Sequence, residues 1–548
     1  MTFFRLLSEQ AYGERARMLA LASLGGVASA LFFATINEIA AKPEAGDVPS
    51  LVRLGLLILL YVTCTRHSTS WMAAQIEAIL HQIKLRVARR IARTDLETLE
   101  QVRAAEICDR ITENTSFISA RAGTIAAMLG AVFLVGFALI YIAALSAPAF
   151  VLVFLLCGAG ALIFLTLPRK FVPQFQKIAG LRLTFFEQLT DLLSGFKELK
   201  LSRLRSRQLR ADIAHILDLL RDAGAATSNL LTDGMLLGEA ILFSLIAAVV
   251  YALPLYTTPD KVTMTSLVAG VMFLWGPFMK VIIGTMPLVR ADAAFAEIDE
   301  LERKLEAAAQ SSIPDEERVD PWHGRLAKLE ASNLTYSYPA DGSGQQFHIG
   351  PINLTLAAGE VIFIVGGNGS GKSTLLKVLL GLYAPSSGRL LADGVAVEPK
   401  NVAAFRDMIS AIFSDFHLFA KLYGLAGSKE ADVLALIARM RLADKTAISA
   451  GAFTSLSLST GQRKRLAMVV ALLEDRPIYV FDEWAADQDP EFRAYFYQEL
   501  LPLLRQEGKT VLVVSHDDRY FHCADRVIAM EYGKVRASEK TAAVQVPC

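Results

Sequence analysis

The stretch Val361-Ile-Phe-Ile-Val-Gly-Gly-Asn-Gly-Ser-Gly-Lys-Ser-Thr374 decides the fold of the C-terminal part of the chain. Its apolar start predicts a buried strand, its glycines a tight turn, and its last residues the start of a helix. Backbone N–H groups in such a turn wrap phosphate oxygens, Lys372 neutralises the outer phosphates, and the Ser373 hydroxyl can ligate Mg²⁺. The stretch therefore predicts an α/β P-loop fold. Its predicted nucleotide-binding residues are Gly366, Asn368, Gly369, Ser370, Gly371, Lys372, Ser373 and Thr374.

A second apolar run, Pro477-Ile-Tyr-Val-Phe-Asp-Glu483, ends in two adjacent carboxylates. On its own, such a run is typical of a strand that ends in solvent. Together with a phosphate-binding loop, it predicts that Asp482 contacts Mg²⁺. It also predicts that Glu483 polarises the attacking water as a general base.

A third apolar run, Thr510-Val-Leu-Val-Val-Ser515, is followed by His516. Ligands of open parallel sheets bind at the carboxyl ends of the strands, so this run would bring His516 to the same edge as Glu483. We therefore predict a catalytic role for His516. A structural histidine is the alternative.

Upstream of the second run lies Leu458-Ser-Thr-Gly-Gln462, which resembles the LSGGQ signature of the ABC ATPase family. The pentapeptide alone is weak, but in this order with the other three elements it identifies the C-terminal part as a member of that family. The resemblance implies that ATP is bound with Mg²⁺, and that Ser459 and Gly461, with Gln462 beside them, contact the γ-phosphate bound on a second copy. Because each chain has one phosphate loop and one signature, complete sites would require two chains.

The resemblance also implies roles for single residues and shows two departures from the family pattern. Tyr338 looks like the aromatic residue that stacks on adenine, with a buried strand tyrosine as the alternative, and Asp487 looks like part of the loop that communicates across an ATPase dimer. Ser414 stands where the glutamine that couples ATP to the membrane domain is expected. Thr460 replaces the first glycine of the signature. Both departures put the coupling and the hydrolysis rate in question.

The composition predicts that another part of the chain lies in lipid. Hydrophobic residues make up 53% of the 548 residues, while Lys+Arg and Asp+Glu balance at 55 each. The absence of a basic excess argues against a nucleic-acid binder. The five cysteines are scattered without CxxC spacing, so neither a disulfide framework nor a zinc site is indicated.

Long apolar stretches occur before about residue 290 and predict six membrane spans. A hydrophobic hairpin buried in a soluble core is the alternative for some of them. The predicted spans are 18–36, 51–71, two within 122–168 separated by a turn at Ser146-Ala147-Pro148, 235–255 and 262–289.

Lys and Arg collect in segments 77–121 and 169–230, whereas the presumed outer loops have few beyond Lys42 and Lys261. This asymmetry places both termini in the cytoplasm. The two basic segments are too long for plain loops and predict helices that project out of the membrane. Thr94 and Glu97 fit a capping box that opens a further helix there.

The chain therefore divides into a transmembrane domain at 1–305, a linker at 306–325 and an ATPase domain at 326–548. A charged helix is predicted at 297–305. Ser311, Ser312 and Pro314 indicate the linker.

Ionisable residues within membrane spans are costly and are therefore candidates for the transport path. Arg66, His67 and Glu239 lie deep in predicted spans, and they either line a polar cavity or pair with one another for structure. Glu38 and Lys280 lie near the membrane surfaces and are weaker candidates.

The whole chain resembles ABC exporters, with long cytoplasmic and short external connections. Within them it is most similar to the cyclic-peptide exporter group of Gram-negative bacteria, the pyoverdine-precursor, syringomycin and microcin type. The stretches that carry this likeness are Gly350-Pro-Ile-Asn-Leu354, Val365-Gly-Gly-Asn-Gly-Ser370, Asp482-Glu-Trp-Ala-Ala-Asp-Gln-Asp-Pro490, Ser515-His-Asp-Asp-Arg-Tyr520 and Gly195-Phe-Lys-Glu-Leu-Lys-Leu201.

The resemblance implies a multi-pass homodimer in the bacterial inner membrane, surrounded by lipid, with its ATPase domains in the cytoplasm. Its cargo would be a cyclic or modified peptide, such as a siderophore precursor or a toxin. A lipid flippase or multidrug exporter is the alternative. A non-transporting ATPase that regulates a partner membrane protein is a more distant one.

Overall fold

The computed structural model describes residues 15–41, 48–101, 104–164, 167–257, 259–309, 319–338, 347–425 and 427–540. Lys42 and the predicted linker residues Ser311, Ser312 and Pro314 lie outside this range. The chain forms two compact units. The first contains Met1–Ala92 and Val102–Lys304, and the second contains Arg93–Gln101 and Leu305–Cys548. The short segment Arg93–Gln101 thus groups with the second unit, which the predicted division at 305 does not anticipate.

The described part of the first unit is helical. Helices that follow one another with short connections account for nearly all of it. They are α1 (Arg15–Ala41), α2 (Val48–Arg93), α4 (Ala104–Leu145), α5 (Ala147–Phe164), α6 (Leu167–Ser194), α7 (Phe196–Leu201), α8 (Arg203–Ala247) and α9 (Lys261–Ala309); α3 (Leu96–Gln101) belongs to the second unit.

Five of the described helices are long and apolar enough to cross a membrane. They lie at Ala20–Ile39, Val48–Arg93, Arg110–Leu145, Arg203–Leu255 and Lys261–Glu306. The remaining predicted span, the fourth along the chain, corresponds to a shorter apolar segment, Ala147–Gly160. The predicted turn between the third and fourth spans is present, because the helix breaks at Ser146.

Several membrane helices continue well beyond their apolar part. Helix α2 has 46 residues, which corresponds to about 69 Å at 1.5 Å per residue. Its polar half buries Ile79, Ile83 and Val87, which are four residues apart and lie on one face. Helix α9 is continuous to Ala309, so the predicted charged helix 297–305 is its final part, and the predicted linker begins inside it.

Small residues and one buried ion cluster hold the first unit together. A Cβ atom at Gly26 of α1 would lie 2.3 Å from the Phe137 ring of α4, so only glycine permits this approach of the two helices. Glu302 of α9 is 5% exposed and receives hydrogen bonds from Arg86 at 2.8 Å and Arg90 at 3.2 Å. These contacts join α9 to α2.

The second unit contains two main sheets with helices. A six-stranded sheet has the order β12-β11-β3-β10-β9-β6, and a four-stranded antiparallel sheet has the order β2-β1-β4-β5. The strands are β1 (Lys328–Ser337), β2 (His348–Ala357), β3 (Val361–Val365), β4 (Ser387–Ala392), β5 (Val395–Ala396), β6 (Ile409–Ile412), β9 (Ile478–Asp482), β10 (Thr510–Val514), β11 (Arg526–Glu531) and β12 (Lys534–Lys540), with a small hairpin of β7 (Ile448–Ser449) and β8 (Ala452–Phe453).

The helices of this unit lie between the strands along the chain. They are α10 (Lys372–Leu379), α11 (Val402–Arg406), α12 (Glu430–Arg439), α13 (Thr460–Glu474), α14 (Pro490–Tyr495) and α15 (Leu501–Gln506). Strands β6, β9, β10, β3 and β11 are parallel, so their carboxyl ends lie at one edge of the sheet.

Alternate residues of the central strands face opposite sides of this sheet and build two cores. Phe363, Phe481 and Val513 belong to one core, whereas Ile364, Val480 and Leu512 belong to the other. A sheet buried on both faces explains why these strands read as continuous apolar runs.

Candidate functional site

The phosphate-binding loop connects β3 to α10. Gly371 has a φ of 98° and immediately precedes the helix. Lys372 is 6% exposed, and its ammonium donates to the carbonyl oxygens of Gly366 at 2.9 Å and Gly367 at 3.0 Å. The Ser370 Oγ is buried without a hydrogen-bond partner in the described part of the chain. A buried cation and an unsatisfied hydroxyl beside a helix N-terminus fit the phosphates of a nucleotide.

Asp482 ends β9 beside the end of β10, where it pairs with Val514. Its side chain is 2% exposed, and one oxygen accepts a hydrogen bond from Ser414 Oγ at 3.3 Å. Burial, followed by the neighbouring Glu483 charge, raises the pKa of Asp482, while Ser414 and Lys372 act in the opposite direction. Its carboxylate and the Ser373 hydroxyl are oxygen donors of the kind that Mg²⁺ prefers.

Glu483 follows directly and adopts a left-handed backbone, with φ 50° and ψ 34°. This conformation is uncommon for a residue with a side chain and is found where surrounding contacts hold it. The Glu483 N–H donates to Val514 O at 3.1 Å, and Oε1 lies 3.2 Å from Nε2 of His516. Both side chains line a cavity of about 320 Å³, together with Ser515, Asp517 and Arg519. The predicted pair therefore meets at the expected sheet edge.

Lys464, which the sequence analysis did not single out, contacts the segment from Glu483 to Asp487. It is 3% exposed, and its ammonium donates to the Glu483 carbonyl at 2.8 Å and contacts Asp487 Oδ2 at 2.7 Å. Its own carbonyl accepts a hydrogen bond from Trp484 Nε1 at 2.9 Å. The sequence held one signal for this role: Lys464 shares a helix face with apolar residues that are buried.

The signature residues form the N-terminus of α13. The Ser459 hydroxyl accepts from the Gln462 N–H at 3.4 Å, and the Gln462 side chain accepts from the Ser459 N–H at 3.1 Å, which completes a capping box. A Cβ atom at Gly461 would lie 2.6 Å from the Asp487 carbonyl oxygen. Only glycine therefore lets the signature and the Asp487 loop approach so closely within one chain.

Tyr338, the predicted adenine-stacking residue, lies just past β1. Its hydroxyl is 3.1 Å from Thr374 Oγ1 at the start of α10. The ring is half-buried and packs edge-on against Tyr336, with centroids 5.2 Å apart. The structure thus brings Tyr338 to the helix that begins at the phosphate loop.

Comparison with known proteins identifies the family. The family model described as ABC transporter matches residues 349–486. The fold is similar to the structure of a bacterial Atm1-family ABC exporter with ATP bound, with a TM-score of 0.77 at 19% identity over 97% of this chain and 96% of that one. The chain is also 34% identical to the ATP-binding protein SyrD of Pseudomonas syringae pv. syringae, over 95% of this chain and 93% of SyrD. The chain belongs to the ABC exporter half-transporters.

A shorter likeness points to a related group. The exporter is 32% identical over 218 residues to the ATP-dependent lipid A-core flippase of Burkholderia pseudomallei (strain 1710b), which is 38% of this chain and 36% of the flippase. The predicted fold class is confirmed, as are ATP binding and an ATPase activity that drives transport. A half-transporter fold implies a dimer.

The two departures from the family pattern have local explanations in this exporter. Thr460 is the first residue of α13 and is not among the described non-glycine residues with positive φ. A helical position accepts a side chain, so the helix start does not require glycine there. Ser414 directly contacts the Asp482 carboxylate, and a hydroxyl therefore stands where the family has an amide.

The predicted transport-path residues are all exposed in the described first unit of the exporter. The His67 ring contacts the Thr63 carbonyl at 2.8 Å, which is a contact within its own helix. Within the described residues, no ion pair joins Arg66 or His67 to Glu239. The structure therefore does not contain the mutual pairing that was the alternative to a polar cavity. Glu38, a weaker candidate, instead pairs with Arg53 at 3.1 Å.

Proposed function

We propose that two copies of this chain use ATP to export a cyclic or otherwise modified peptide, from the cytoplasm to the periplasm across the bacterial inner membrane. The main support is the likeness to SyrD, which extends over 95% of the chain and therefore includes the membrane helices. Cargo contacts in an exporter belong to those helices. The quoted stretches that resemble the cyclic-peptide exporter group point in the same direction.

The nucleotide site would hold ATP along one edge of the six-stranded sheet. Tyr338 would stack on the adenine, and the loop from Gly366 to Thr374 with Lys372 would hold the phosphates. Ser373 and Asp482 would hold Mg²⁺, which screens phosphate charge when bound. These roles require hydroxyl, carboxylate and ammonium groups at this edge of the sheet. The support is that Lys372 and Asp482 lie at the ends of neighbouring elements there.

Hydrolysis would depend on the Glu483 carboxylate. Water attacks the γ-phosphorus, the bond to the bridging oxygen breaks, and Glu483 accepts the proton that the water loses. His516 would orient this carboxylate from 3.2 Å. Ser459, Gly461 and Gln462 of the second copy would complete the γ-phosphate site, so that closure of the dimer and hydrolysis are linked.

Transport would follow an alternating-access cycle in which ATP brings the two ATPase units together and the cavity reopens outward. Both termini and the ATPase units would be cytoplasmic. The exposed side chains of Arg66, His67 and Glu239 would line the path, since charges facing lipid are costly.

A lipid flippase or multidrug exporter is the second candidate, because the chain also resembles lipid A-core flippases. That likeness covers 38% of the chain and is too short to include both units. It therefore supports the cargo of this chain less than the likeness to SyrD over 95% of the chain does.

The two candidates differ in what stimulates ATP hydrolysis by the reconstituted protein. We expect a cyclic peptide from a panel that includes a pyoverdine-type precursor to raise the rate, with lipid A and hydrophobic drugs without effect. Stimulation by lipid A or by drugs alone would contradict the peptide proposal. Glu483→Gln serves as the control for the hydrolytic signal.

A further inference from the structure

Helix α14 and the turn after it present two polar side chains to the proposed catalytic pair of Glu483 and His516. A π-helical turn at Phe496–Leu500 joins α14 directly to α15. Arg493 and Tyr497 are four residues apart and therefore lie on one face of this continuous segment. Single π-helical turns within helices occur frequently at functional sites. Both side chains line the cavity that contains the catalytic pair.

The guanidinium of Arg493 connects two loops of the site. One terminal nitrogen donates to the carbonyl oxygens of Gln488 at 3.1 Å and Ala486 at 3.4 Å, in the turn that follows β9. The other terminal nitrogen lies 3.5 Å from Oδ2 of Asp517, in the loop that follows β10. One side chain therefore touches both of the chain segments that carry the catalytic pair.

Asp517 is an ionised partner for this guanidinium. Its carboxylate also accepts two hydrogen bonds from Arg519, at 2.9 Å and 3.1 Å. The hydrogen bond from Arg519 lowers the pKa of Asp517 against the opposing effect of burial, and the positive charges of Arg519 and Arg493 lower it further. The contact between Arg493 and Asp517 is therefore an ion pair at neutral pH, with side chains that are only 25% and 15% exposed.

Tyr497 holds the start of the same loop. Its hydroxyl lies 2.7 Å from Ser515 Oγ, and both residues are buried. Ser515 Oγ also accepts a hydrogen bond from the Asp517 N–H at 3.0 Å. The ring of Tyr497 stacks on Tyr520, with centroids 4.4 Å apart, which restricts its movement. These contacts hold the backbone on both sides of His516.

His516 depends on this support, because its own side chain makes few contacts. The side chain is 47% exposed. Within the described residues, the polar partner of its ring is the Glu483 carboxylate, at 3.2 Å. A half-exposed ring with so little packing takes its position from the backbone that carries it.

We propose that Arg493 and Tyr497 are positioning residues, which hold His516 within hydrogen-bond reach of Glu483 by fixing the segment Ser515–Asp517. The proposal rests on the proposed roles of Glu483 and His516 in hydrolysis, but not on the identity of the cargo. Neither positioning residue belongs to the phosphate loop or to the signature. Their loss should therefore slow the hydrolytic step and leave nucleotide binding nearly unchanged.

The test measures hydrolysis of radiolabelled ATP by the full-length protein in lipid nanodiscs, together with AMP-PNP affinity. In Arg493→Gln, we expect kcat to fall about tenfold, while KM and AMP-PNP affinity stay within about twofold. Arg493→Lys keeps the charge that pairs with Asp517 and should recover part of the lost rate. Tyr497→Phe keeps the ring and its stacking, removes only the hydroxyl, and should lower kcat about threefold.

A double-mutant cycle separates positioning from general support of the fold. If Arg493 acts through His516, its loss has nothing further to displace once the imidazole is absent. We therefore expect Arg493→Gln to lower kcat by less than about twofold in a His516→Ala background. Arg441→Gln is the matched control and should leave kcat unchanged, because Arg441 is an exposed guanidinium that pairs with Glu491 of the same helix α14.

Parental kcat in both Arg493→Gln and Tyr497→Phe would overturn the proposal, as would an equal loss in Arg441→Gln or an undiminished loss in the His516→Ala background. The cycle repeated with Tyr497→Phe makes the test independent of how well Arg493→Gln folds. A parental rate in His516→Ala would overturn the role of His516 and the positioning role together. A slow His516→Ala beside a fast Arg493→Gln would overturn the positioning role alone. A failure of the peptide assignment leaves these results unchanged, because no cargo is present.

Discussion

His516 Nε2 lies 3.2 Å from Oε1 of Glu483, and the Glu483 backbone is held in a left-handed conformation between β10 and Lys464. Contacts of both the main chain and the side chain of Glu483 therefore position its carboxylate. This arrangement places the proposed general base at the edge of the sheet where the parallel strands β3, β9 and β10 end.

Glu483→Gln should abolish hydrolysis but not nucleotide binding. The amide keeps the size and the contact with His516, but it cannot accept the proton from water, so we expect the rate of phosphate release to fall about 10²- to 10⁴-fold. Equilibrium binding of a fluorescent ATP analogue should be retained. Near-parental phosphate release in this variant would rule out Glu483 as the base.

Lys464→Met should slow hydrolysis more than it weakens ATP binding. The change leaves the Glu483 carbonyl without its donor and frees Asp487, which costs about 1–3 kcal/mol for a buried polar group. We therefore expect a lower catalytic constant and a lower unfolding temperature. Arg463→Met is the matched control, since Arg463 is exposed and one residue away. Equal effects of the two changes would argue against the specific role of Lys464.

Ser414→Ala should shift the acid limb of the ATPase pH profile to higher pH. Burial raises the pKa of Asp482, and the Ser414 hydroxyl partly opposes that rise. Without the hydroxyl the pKa of Asp482 rises further, so the ionised form that is proposed to hold Mg²⁺ is lost at a higher pH as the solution is acidified. The Mg²⁺ concentration for half-maximal activity should rise as well. Ser414→Thr keeps a hydroxyl and should leave the pH profile unchanged. A Ser414→Ala profile identical to that of the parent protein would contradict this account.

Glu302→Gln should destabilise the first unit, which contains the membrane helices. Glu302 is buried and pairs with Arg86 and Arg90, so loss of its charge should cost about 2 kcal/mol. Thermal inactivation of the reconstituted protein would report this as a lower midpoint. Glu300→Gln removes a more exposed partner of Lys304 and should have little effect. A midpoint unchanged in Glu302→Gln would mean that this cluster is not stabilising.

Local sequence patterns predicted the residues of the nucleotide site that lie at the ends of strands. Apolar runs followed by polar residues predicted that Lys372, Asp482, Glu483 and His516 would meet at one edge, because parallel strands end together. The structure brings them there. The membrane helices were equally visible, because a bilayer requires long apolar runs, although the helices continue further than the apolar runs indicate.

Contacts between distant segments were not predicted. Lys464 reaches Glu483 and Asp487 through the packing of α13 against the end of β9, and no local pattern records that packing. Segment Arg93–Gln101 was expected to extend the membrane domain, but the contacts of Leu96 and Glu100 place it in the second unit. Such contacts depend on tertiary packing, which overrides what the neighbouring sequence suggests.

The most direct test of peptide export is ATP-dependent accumulation of a panel of cyclic peptides, including a pyoverdine-type precursor, into inside-out membrane vesicles, with Glu483→Gln as the control. We predict that one member accumulates with ATP and that the control abolishes its uptake. Absence of uptake for every peptide, with ATP-dependent movement of lipid A or a drug in the same vesicles, would contradict the proposed function.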